Sequence, residues 1–183
     1  MPVSNSRNKT VCGAAMKVLF DKEVIRQRIG IVGKEIAQRF KGEDLTLIIL
    51  ANGGIFFGVD LARAVDIPHW IDVIGVTSYT DDKKCRYPQF RCPPKLPVAG
   101  RHVVLVDDVA DSGETLECCE KYFLEQGAKS VASAVLMDKD VPGRSFKATW
   151  KCFEAPNEYL IGYGLDSCEF FRSLDCVAVF DKE

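Results

Sequence analysis

Long apolar runs, clusters of basic residues and paired cysteine motifs are all missing from this 183-residue chain. No stretch approaches the roughly 18 uninterrupted apolar residues of a membrane helix, so we expect no membrane partner. The net charge is −2 and no basic run occurs, which gives a nucleic-acid partner no electrostatic support. The eight cysteines contain no C-x-x-C pair, which leaves a zinc site weakly supported.

The first ten residues are polar and lack the apolar core of a secretion signal. We therefore expect a cytoplasmic protein with reduced thiols, in which residues 1–10 form a flexible arm. A polyanionic small-molecule substrate is compatible with the charge, because backbone amides and a metal can hold it without bulk positive charge.

Helical and strand-like segments alternate along most of the chain. Apolar residues spaced three and four apart predict helices over 24–40, 55–65 and 114–126. Short apolar runs predict strands over 45–51, 70–76, 103–106, 131–137, 159–161 and 177–180. This alternation predicts an α/β fold with a mostly parallel central sheet flanked by helices. The length, and the absence of a repeat or linker, indicate a single domain over 1–183.

Residues 81–100 differ from the rest of the chain because they are polar, contain four prolines and show no periodicity. A long irregular segment inside a compact domain is often functional, for example as a lid over an active site. A passive surface excursion or hairpin is the alternative, and the residues alone leave both interpretations open.

The strongest chemical signal is the segment 103–115, which reads VVLVDDVADSGET. An apolar strand delivers Asp107 and Asp108 to the carboxyl edge of the sheet, where ligands bind in open α/β folds. A short turn over 107–113 then enters a helix, whose unpaired amides and macrodipole suit a phosphate. Two carboxylates beside a phosphate cradle suit a sugar diol, directly or through a metal. The segment therefore predicts a sugar-phosphate site.

Two other interpretations of this segment stay open. Asp111 or Ser112 could simply cap the helix that follows. A response-regulator receiver also binds magnesium through an acidic pair after a strand, but in that fold the pair lies near the start of the chain.

The same segment resembles the signature of type I phosphoribosyltransferases, which use 5-phosphoribosyl 1-pyrophosphate (PRPP). Four further segments resemble parts of the 6-oxopurine branch, in consistent order. Residues 51–54 resemble the pyrophosphate loop, and residues 78–79 resemble the Ser-Tyr pair of the catalytic loop. Residues 136–139 resemble the strand end with the purine-reading lysine, and residues 159–172 resemble the hood. The resemblance covers about residues 18–180. It implies the type I phosphoribosyltransferase fold, with a mobile catalytic loop over 79–100 and a small hood from about 11–22 and 140–183.

The resemblance also implies a role for each residue of a PRPP site. Asp107 and Asp108 would face the ribose hydroxyls with Mg²⁺ nearby, and Asp166 would contact a second Mg²⁺. Asp111 would handle the proton at N7 of the purine. Residues at the 5-phosphate would be Asp111, Ser112, Gly113, Glu114 and Thr115, and those at the pyrophosphate would be Asn52, Gly53, Arg144 and Arg172. Many relatives carry a lysine where Asn52 stands, so less positive charge is expected at this pyrophosphate loop.

By the same resemblance, Lys139, Tyr159, Leu160 and Asp166 would bind the base, and Ser78 and Tyr79 would close over it with the catalytic loop. Lys139 offers hydrogen-bond donors and no acceptor, so it would favour a 6-oxo group over the amino group of adenine. Without the resemblance, Lys139 could be an ordinary solvated lysine and Tyr159 a buried core aromatic.

The implied reaction is the Mg²⁺-dependent transfer of hypoxanthine or guanine to PRPP, which gives IMP or GMP and pyrophosphate. The resemblance also implies a homodimer or homotetramer. A regulator that binds phosphoribosyl ligands with little turnover is the alternative from another class of function. The sequence shows neither an added nucleic-acid-binding domain nor the basic face that a regulator of transcription would use.

Overall fold

A computed structural model describes residues 8–11, 14–76, 88–139, 144, 146–156 and 158–180, with side chains from Met16 onward. Its helices are α1 (Lys22–Arg39), α2 (Gly54–Ala64) and α3 (Glu114–Glu125). Its strands are β1 (Asn8–Val11), β2 (Ala14–Phe20), β3 (Leu45–Ala51), β4 (Trp70–Val76), β5 (Phe90–Cys92), β6 (His102–Ala110), β7 (Ser130–Lys139), β8 (Trp150–Ala155), β9 (Leu160–Ile161) and β10 (Val177–Val179).

A six-stranded sheet in the order β5-β4-β3-β6-β7-β8 forms the centre of the molecule. Every neighbouring pair is parallel except β4 and β5, which are antiparallel. Helices α1 and α2 cover one face of the sheet, where Leu47 and Val104 are buried, and α3 covers the other, where Ile48 and Leu105 are buried. The α/β fold with a mostly parallel central sheet flanked by helices is thereby confirmed.

Local sequence explains why the first helix and strand form where they do. Helix α1 begins after Asp21, whose carboxylate accepts hydrogen bonds of 3.0 Å from the amides of Glu23 and Val24. Strand β3 is apolar at nearly every position because helices cover it on both faces, so it cannot show the alternation of a half-exposed strand. The sheet is consequently a rigid base for the loops at its carboxyl edge.

The predicted turn over residues 107–113 begins too early. Strand β6 continues to Ala110, because Val109 and Ala110 stay paired with Met137 and Asp138 of β7. Pairing with β3 on the other side stops at Val106. The acidic pair that follows Val106 therefore lies inside the last part of a strand, where the ladder to β7 overrides the polar character that indicated a turn.

The described part of the proline-containing segment is tied to the sheet at two places. Strand β5 pairs with β4 near Gly75, and the buried carboxylate of Asp72 accepts hydrogen bonds from the amides of Lys95 and Leu96 at 2.6 and 2.9 Å. The pairing holds β5 at the carboxyl end of β4, and the Asp72 bonds hold residues 95–96 beside the first half of β4. The mobility of a loop over 79–100 stays a prediction, and residues 77–87 lie outside the described residues.

A second sheet, antiparallel and in the order β1-β2-β10-β9, stands beside the carboxyl edge of the first. Its residues Val177 and Val179 belong to the main apolar core, so the two sheets are packed into one body. Three of the strands come from the ranges expected to form a hood, and their role as a hood stays a prediction. Strand β1 differs from expectation, because its residues 8–10 belong to the range 1–10 expected as a flexible arm and instead pair with β2. Among the described residues, no helix is long and apolar enough to cross a membrane.

Candidate active site

The carboxyl ends of β3 and β6 meet at one edge of the sheet and open into a cavity of about 640 Å³. Eleven of the residues expected at PRPP or its metal line this cavity: Asn52, Gly53, Asp107, Asp108, Asp111, Ser112, Gly113, Glu114, Thr115, Asp166 and Arg172. They come from three stretches of chain that are far apart in sequence. The fold therefore brings the predicted loops together around one space of substrate size.

The start of α3 presents backbone amides to the cavity. Its N-cap is Gly113, at φ 82°, which has no side chain to cap the helix; the amide of Glu114 donates a 3.3 Å hydrogen bond to the Ser112 hydroxyl oxygen. Position 113 requires glycine for two reasons: its φ is left-handed, and a Cβ there would lie 2.5 Å from Phe146. Amides of the first turn and the positive end of the helix dipole are thus available to an anion.

Asp107 and Asp108 form a crowded acidic pair on the floor of the cavity. The amide of Asp108 donates to the Asp107 carboxylate, and the amide of Val109 donates to the Asp108 carboxylate, both at 3.0 Å. Burial and the neighbouring charge of Asp108 raise the pKa of Asp107 well above its usual range. Burial also raises the pKa of Asp108, against the opposing effects of hydrogen bonds and Arg172. A cation or a sugar diol would relieve this repulsion.

A hairpin-like segment, residues 162–174, carries Asp166 and Arg172 to the opposite wall. The Arg172 guanidinium lies 3.0 Å from the Asp166 carboxylate and donates a 2.7 Å hydrogen bond to the carbonyl of Gly164. The amide of Glu169 donates to the other oxygen of Asp166 at 2.8 Å. Both functional side chains are thus held in place by the hairpin itself.

A smaller cavity of about 180 Å³ adjoins the first and shares Asp108, Val109 and Asp166 with it. Its other lining residues are Lys139, Glu158, Tyr159, Leu160 and Leu165. The Tyr159 hydroxyl donates a 3.1 Å hydrogen bond to the Asp166 carbonyl, while the residue stays 41% exposed. Contrary to the core-aromatic alternative, the ring is therefore open to a planar ligand.

An ion pair connects the linings of the two cavities. The ammonium group of Lys139, in the smaller cavity, lies 2.9 Å from the carboxylate of Asp111, in the larger one. This contact counts against the alternative in which Lys139 is only a solvated surface lysine. It also counts against Asp111 as the cap of α3, because that carboxylate is directed at Lys139 and makes no cap bond.

Arg144 lies under the phosphate-type loop, and it is absent from the lining of both cavities. Its side chain is 9% exposed, donates to the carbonyls of Ala110 and Asp111 at 3.0 Å, and pairs with Asp138 at 2.5 Å. The contact of Arg144 with pyrophosphate stays a prediction, and in this arrangement its guanidinium braces the loop. Ser78 and Tyr79 lie outside the described residues.

Sequence reasoning missed two charged residues of the site. Arg91 on β5 lines the larger cavity, and Glu158 lines the smaller one. Among the described residues, Arg91 has no ion pair, unlike Arg172 and Lys139. Its position in a segment without periodicity left no signal that could have marked it.

No group of three or more His, Cys, Asp or Glu side chains that could hold a metal occurs within the described ranges. Mg²⁺, however, is commonly bound by one or two carboxylates together with substrate phosphates, and does not need a cage made only of protein. Asp108, which is buried, and Asp107, which is half-buried, are adjacent carboxylates that repel each other, and they fit that mode of binding.

Comparison with known proteins gives a consistent result. Residues 19–167 match the family model described as a phosphoribosyl transferase domain. The hypoxanthine-guanine phosphoribosyltransferase of Mycobacterium avium is 30% identical over 92% of this chain and 87% of its own length. That of Streptococcus pneumoniae is 31% identical over 91% of this chain and 94% of its own length. A solved structure of Trypanosoma cruzi hypoxanthine phosphoribosyl transferase superposes with a TM-score of 0.83 at 31% identity, covering 90% of this chain and 91% of that one.

Proposed function

The chain belongs to the phosphoribosyl transferase domain family, and on this basis we propose that it transfers the phosphoribosyl group of PRPP to hypoxanthine or guanine. The products are IMP or GMP and pyrophosphate, which makes the protein a purine salvage enzyme. The observation that carries the proposal is the pair of adjoining cavities that share Asp108 and Asp166. One offers helix amides and carboxylates for a sugar phosphate, and the other offers an ammonium donor and an aromatic ring for a base.

In this proposal the larger cavity binds PRPP. The loop 111–115 holds the 5-phosphate through the amides at the start of α3, with the hydroxyls of Ser112 and Thr115 in support. Asp107 and Asp108 face the ribose hydroxyls. Asn52, Gly53 and Arg172 face the pyrophosphate, where Arg172 offsets its negative charge as it leaves.

The smaller cavity binds the base. Lys139 donates to the 6-oxo oxygen, the ring of Tyr159 stacks on the purine, and the backbone of Leu160 meets its edge. Asp111, 2.9 Å from Lys139, handles the proton at N7 while N9 attacks C1 of the ribose. Catalysis then consists of positioning and charge stabilisation, without a covalent enzyme intermediate.

Mg²⁺ is part of the proposal. The residues that would hold it are Asp107 and Asp108 on the ribose side and Asp166 on the pyrophosphate side. When bound, the ion would neutralise charge on the pyrophosphate and favour its departure. Closure of the loop over 79–100 with Ser78 and Tyr79 would exclude water, which otherwise hydrolyses PRPP.

We also propose a homodimer or homotetramer. Ile71 and Val73 of β4 pair with Leu47 and Ile49 of β3, so they lie on the sheet face that α1 and α2 cover elsewhere, yet they are 48% and 40% exposed. Large apolar side chains also exposed on the adjacent helix α2 are Ile55, Phe56 and Val59. An apolar area of this kind on one face supports contact with a second subunit.

A cytoplasmic location completes the proposal, and the exposed free thiols of Cys92 and Cys168 support it. Fractionation of cells that express the tagged protein tests this location.

The enzymatic proposal is tested by incubating the purified protein with PRPP, Mg²⁺ and one base at a time. Chromatography should detect nucleotide with guanine or hypoxanthine and not with adenine, and a chelator should abolish it. Tight PRPP binding without nucleotide from any base would favour the regulator that binds phosphoribosyl ligands instead.

A further inference from the structure

Tyr163 links the hairpin 162–174 to helix α2. This residue belongs to the main apolar core and is 8% exposed, and its hydroxyl donates a hydrogen bond to the carboxylate of Asp60 on α2. Asp60 also pairs with Arg63 at 3.2 Å. Burial first, and the Asp60 carboxylate second, raise the pKa of Tyr163, so this hydroxyl keeps its proton and remains a donor at all ordinary pH values.

The backbone of Tyr163 is in a conformation that needs support. Its φ is 52°, in the left-handed region, which a bulky side chain of this kind adopts only at a cost in free energy. The amide of Tyr163 donates to the carbonyl of Leu174 at 2.9 Å, and the amide of Gly164 donates to the carbonyl of Arg172 at 2.9 Å. These two hydrogen bonds hold the turn against residues 172–174, and the side chain of Tyr163 is directed at α2.

The next residue, Gly164, touches the loop that precedes the same helix. A Cβ on Gly164 would lie 2.1 Å from the carbonyl oxygen of Gly53 and 3.3 Å from Cβ of Asp108. Gly53 and Asp60 are separated by about 10 Å along α2, since each helical residue rises about 1.5 Å. The hairpin thus meets the start of α2 through Gly164 and the second turn of α2 through Tyr163.

These contacts bear on the proposed pyrophosphate site, because its two walls are the loop at Asn52 and Gly53 and the hairpin with Asp166 and Arg172. Because Gly164 already touches the carbonyl of Gly53, the two walls cannot move closer together at this point. The same contact does not prevent them from moving apart. The hydrogen bond from Tyr163 to Asp60 opposes separation.

We propose that Tyr163 is a positioning residue, which holds the hairpin against α2 and so sets the width of the pyrophosphate site. The inference rests on the proposed function. It implies that losing the Tyr163–Asp60 bond weakens the binding of PRPP and pyrophosphate more than that of the base. Lys139, on β7, is attached elsewhere in the fold, whereas Tyr159 touches the hairpin through the bond from its hydroxyl to the Asp166 carbonyl, so the base site should change less than the pyrophosphate site.

The first test is Tyr163→Phe, which keeps the buried ring and removes only the hydroxyl. Because a hydrogen bond to a charged group is lost, we expect pyrophosphate and PRPP to bind about fivefold to tenfold more weakly in titration calorimetry. The KM for guanine should rise less than the dissociation constants for pyrophosphate and PRPP. Tyr122→Phe is the matched control, because it removes a hydroxyl from α3, away from both cavities, and should leave all these values unchanged.

Changes at Asp60 separate positioning from general stability. Asp60→Asn keeps an acceptor for the tyrosine and should bind pyrophosphate as the unmodified protein does, whereas Asp60→Ala should reproduce Tyr163→Phe. Combining Tyr163→Phe with Asp60→Ala should weaken binding no further than either change alone.

The inference is overturned if Tyr163→Phe lowers the melting temperature while pyrophosphate affinity is unaltered. It is also overturned if affinity for base and pyrophosphate fall equally. Because pyrophosphate binding is measured without turnover, these results are distinct from a failure of the proposed function, which would appear as absent nucleotide formation by the unmodified protein.

Discussion

The ammonium group of Lys139, at the end of β7, lies 2.9 Å from the carboxylate of Asp111, in the loop after β6. In the proposed reaction one of these residues reads O6 of the purine and the other handles the proton at N7, which are neighbouring atoms of the same base. An ion pair between them therefore holds both groups at one edge of the base before it binds. Their separation of 28 residues hides this relationship in the sequence.

Lys139→Gln should reduce discrimination between 6-oxopurines and adenine. Glutamine both donates and accepts, so it loses the charged donor for O6 while tolerating an amino group. We expect kcat/KM for guanine to fall roughly tenfold to a hundredfold, as for loss of a charge-assisted hydrogen bond. Lys129→Gln is the control, since Lys129 pairs with Glu43 away from both cavities. An equal loss in both variants would remove Lys139 from base recognition.

Gly113→Ala should damage the phosphate cradle specifically. Gly42 is a matched position, because both glycines have φ near 80° but a Cβ at Gly42 meets nothing within 4 Å. Gly42→Ala should therefore cost only about 1–2 kcal/mol of the free energy of unfolding, and retain PRPP affinity. Gly113→Ala should also raise the KM for PRPP, because the clash with Phe146 shifts the start of α3. Equal KM values for PRPP in the two variants would contradict the cradle.

Arg91 and Asn52 are expected to share the task of attracting pyrophosphate. Arg91→Gln removes a cavity cation without an ion pair among the described residues, and should raise the KM for PRPP about fivefold. Asn52→Lys should lower that KM and compensate for Arg91→Gln in the double variant. Arg26→Gln, on the exposed surface of α1, is the control. If Arg91→Gln binds PRPP normally, the cation plays no part.

The apolar surface of α2 and β4 should be the subunit contact. Val59→Lys places a charge in it and should reduce the molar mass measured by light scattering during size-exclusion chromatography. Leu124→Lys changes an equally exposed apolar residue on α3 and should leave the assembly intact. If the unmodified protein is a monomer, the proposed subunit contact does not exist. If Val59→Lys leaves the mass of the assembly unaltered, the contact lies elsewhere on the surface.

The sequence was most informative where periodicity or local turn chemistry decided the structure. The strands at 45–51 and 70–76 have the predicted bounds, and the first of them is covered by helices on both faces, which gives a continuous apolar run. Strands β2 and β8 were missed because each is interrupted by charged residues on an exposed side, as at Lys17 and Lys151. Such strands are defined by their partners and not by their own pattern.

Within the site, the acidic pair and the phosphate loop were predictable because ligands bind at the carboxyl edge of parallel strands, whereas Asn52, Gly53, Asp166 and Arg172 were expected only from the resemblance. The position of Arg144 was not, because only the folded chain shows that the carbonyls of Ala110 and Asp111 occupy its guanidinium. The Tyr163–Asp60 bond, between residues 103 positions apart, was equally invisible. Long-range pairs of this kind carry no local signal.

The most direct test of the central claim compares guanine conversion by the unmodified protein and by Asp111→Asn, at saturating PRPP with Mg²⁺. Asparagine keeps the shape of Asp111 but cannot take a proton, so we expect kcat to fall about a hundredfold or more, as for loss of general acid–base catalysis. PRPP affinity, measured by calorimetry, should change far less. Equal kcat values would contradict the role of Asp111, and absence of GMP even from the unmodified protein would contradict the phosphoribosyl transfer itself.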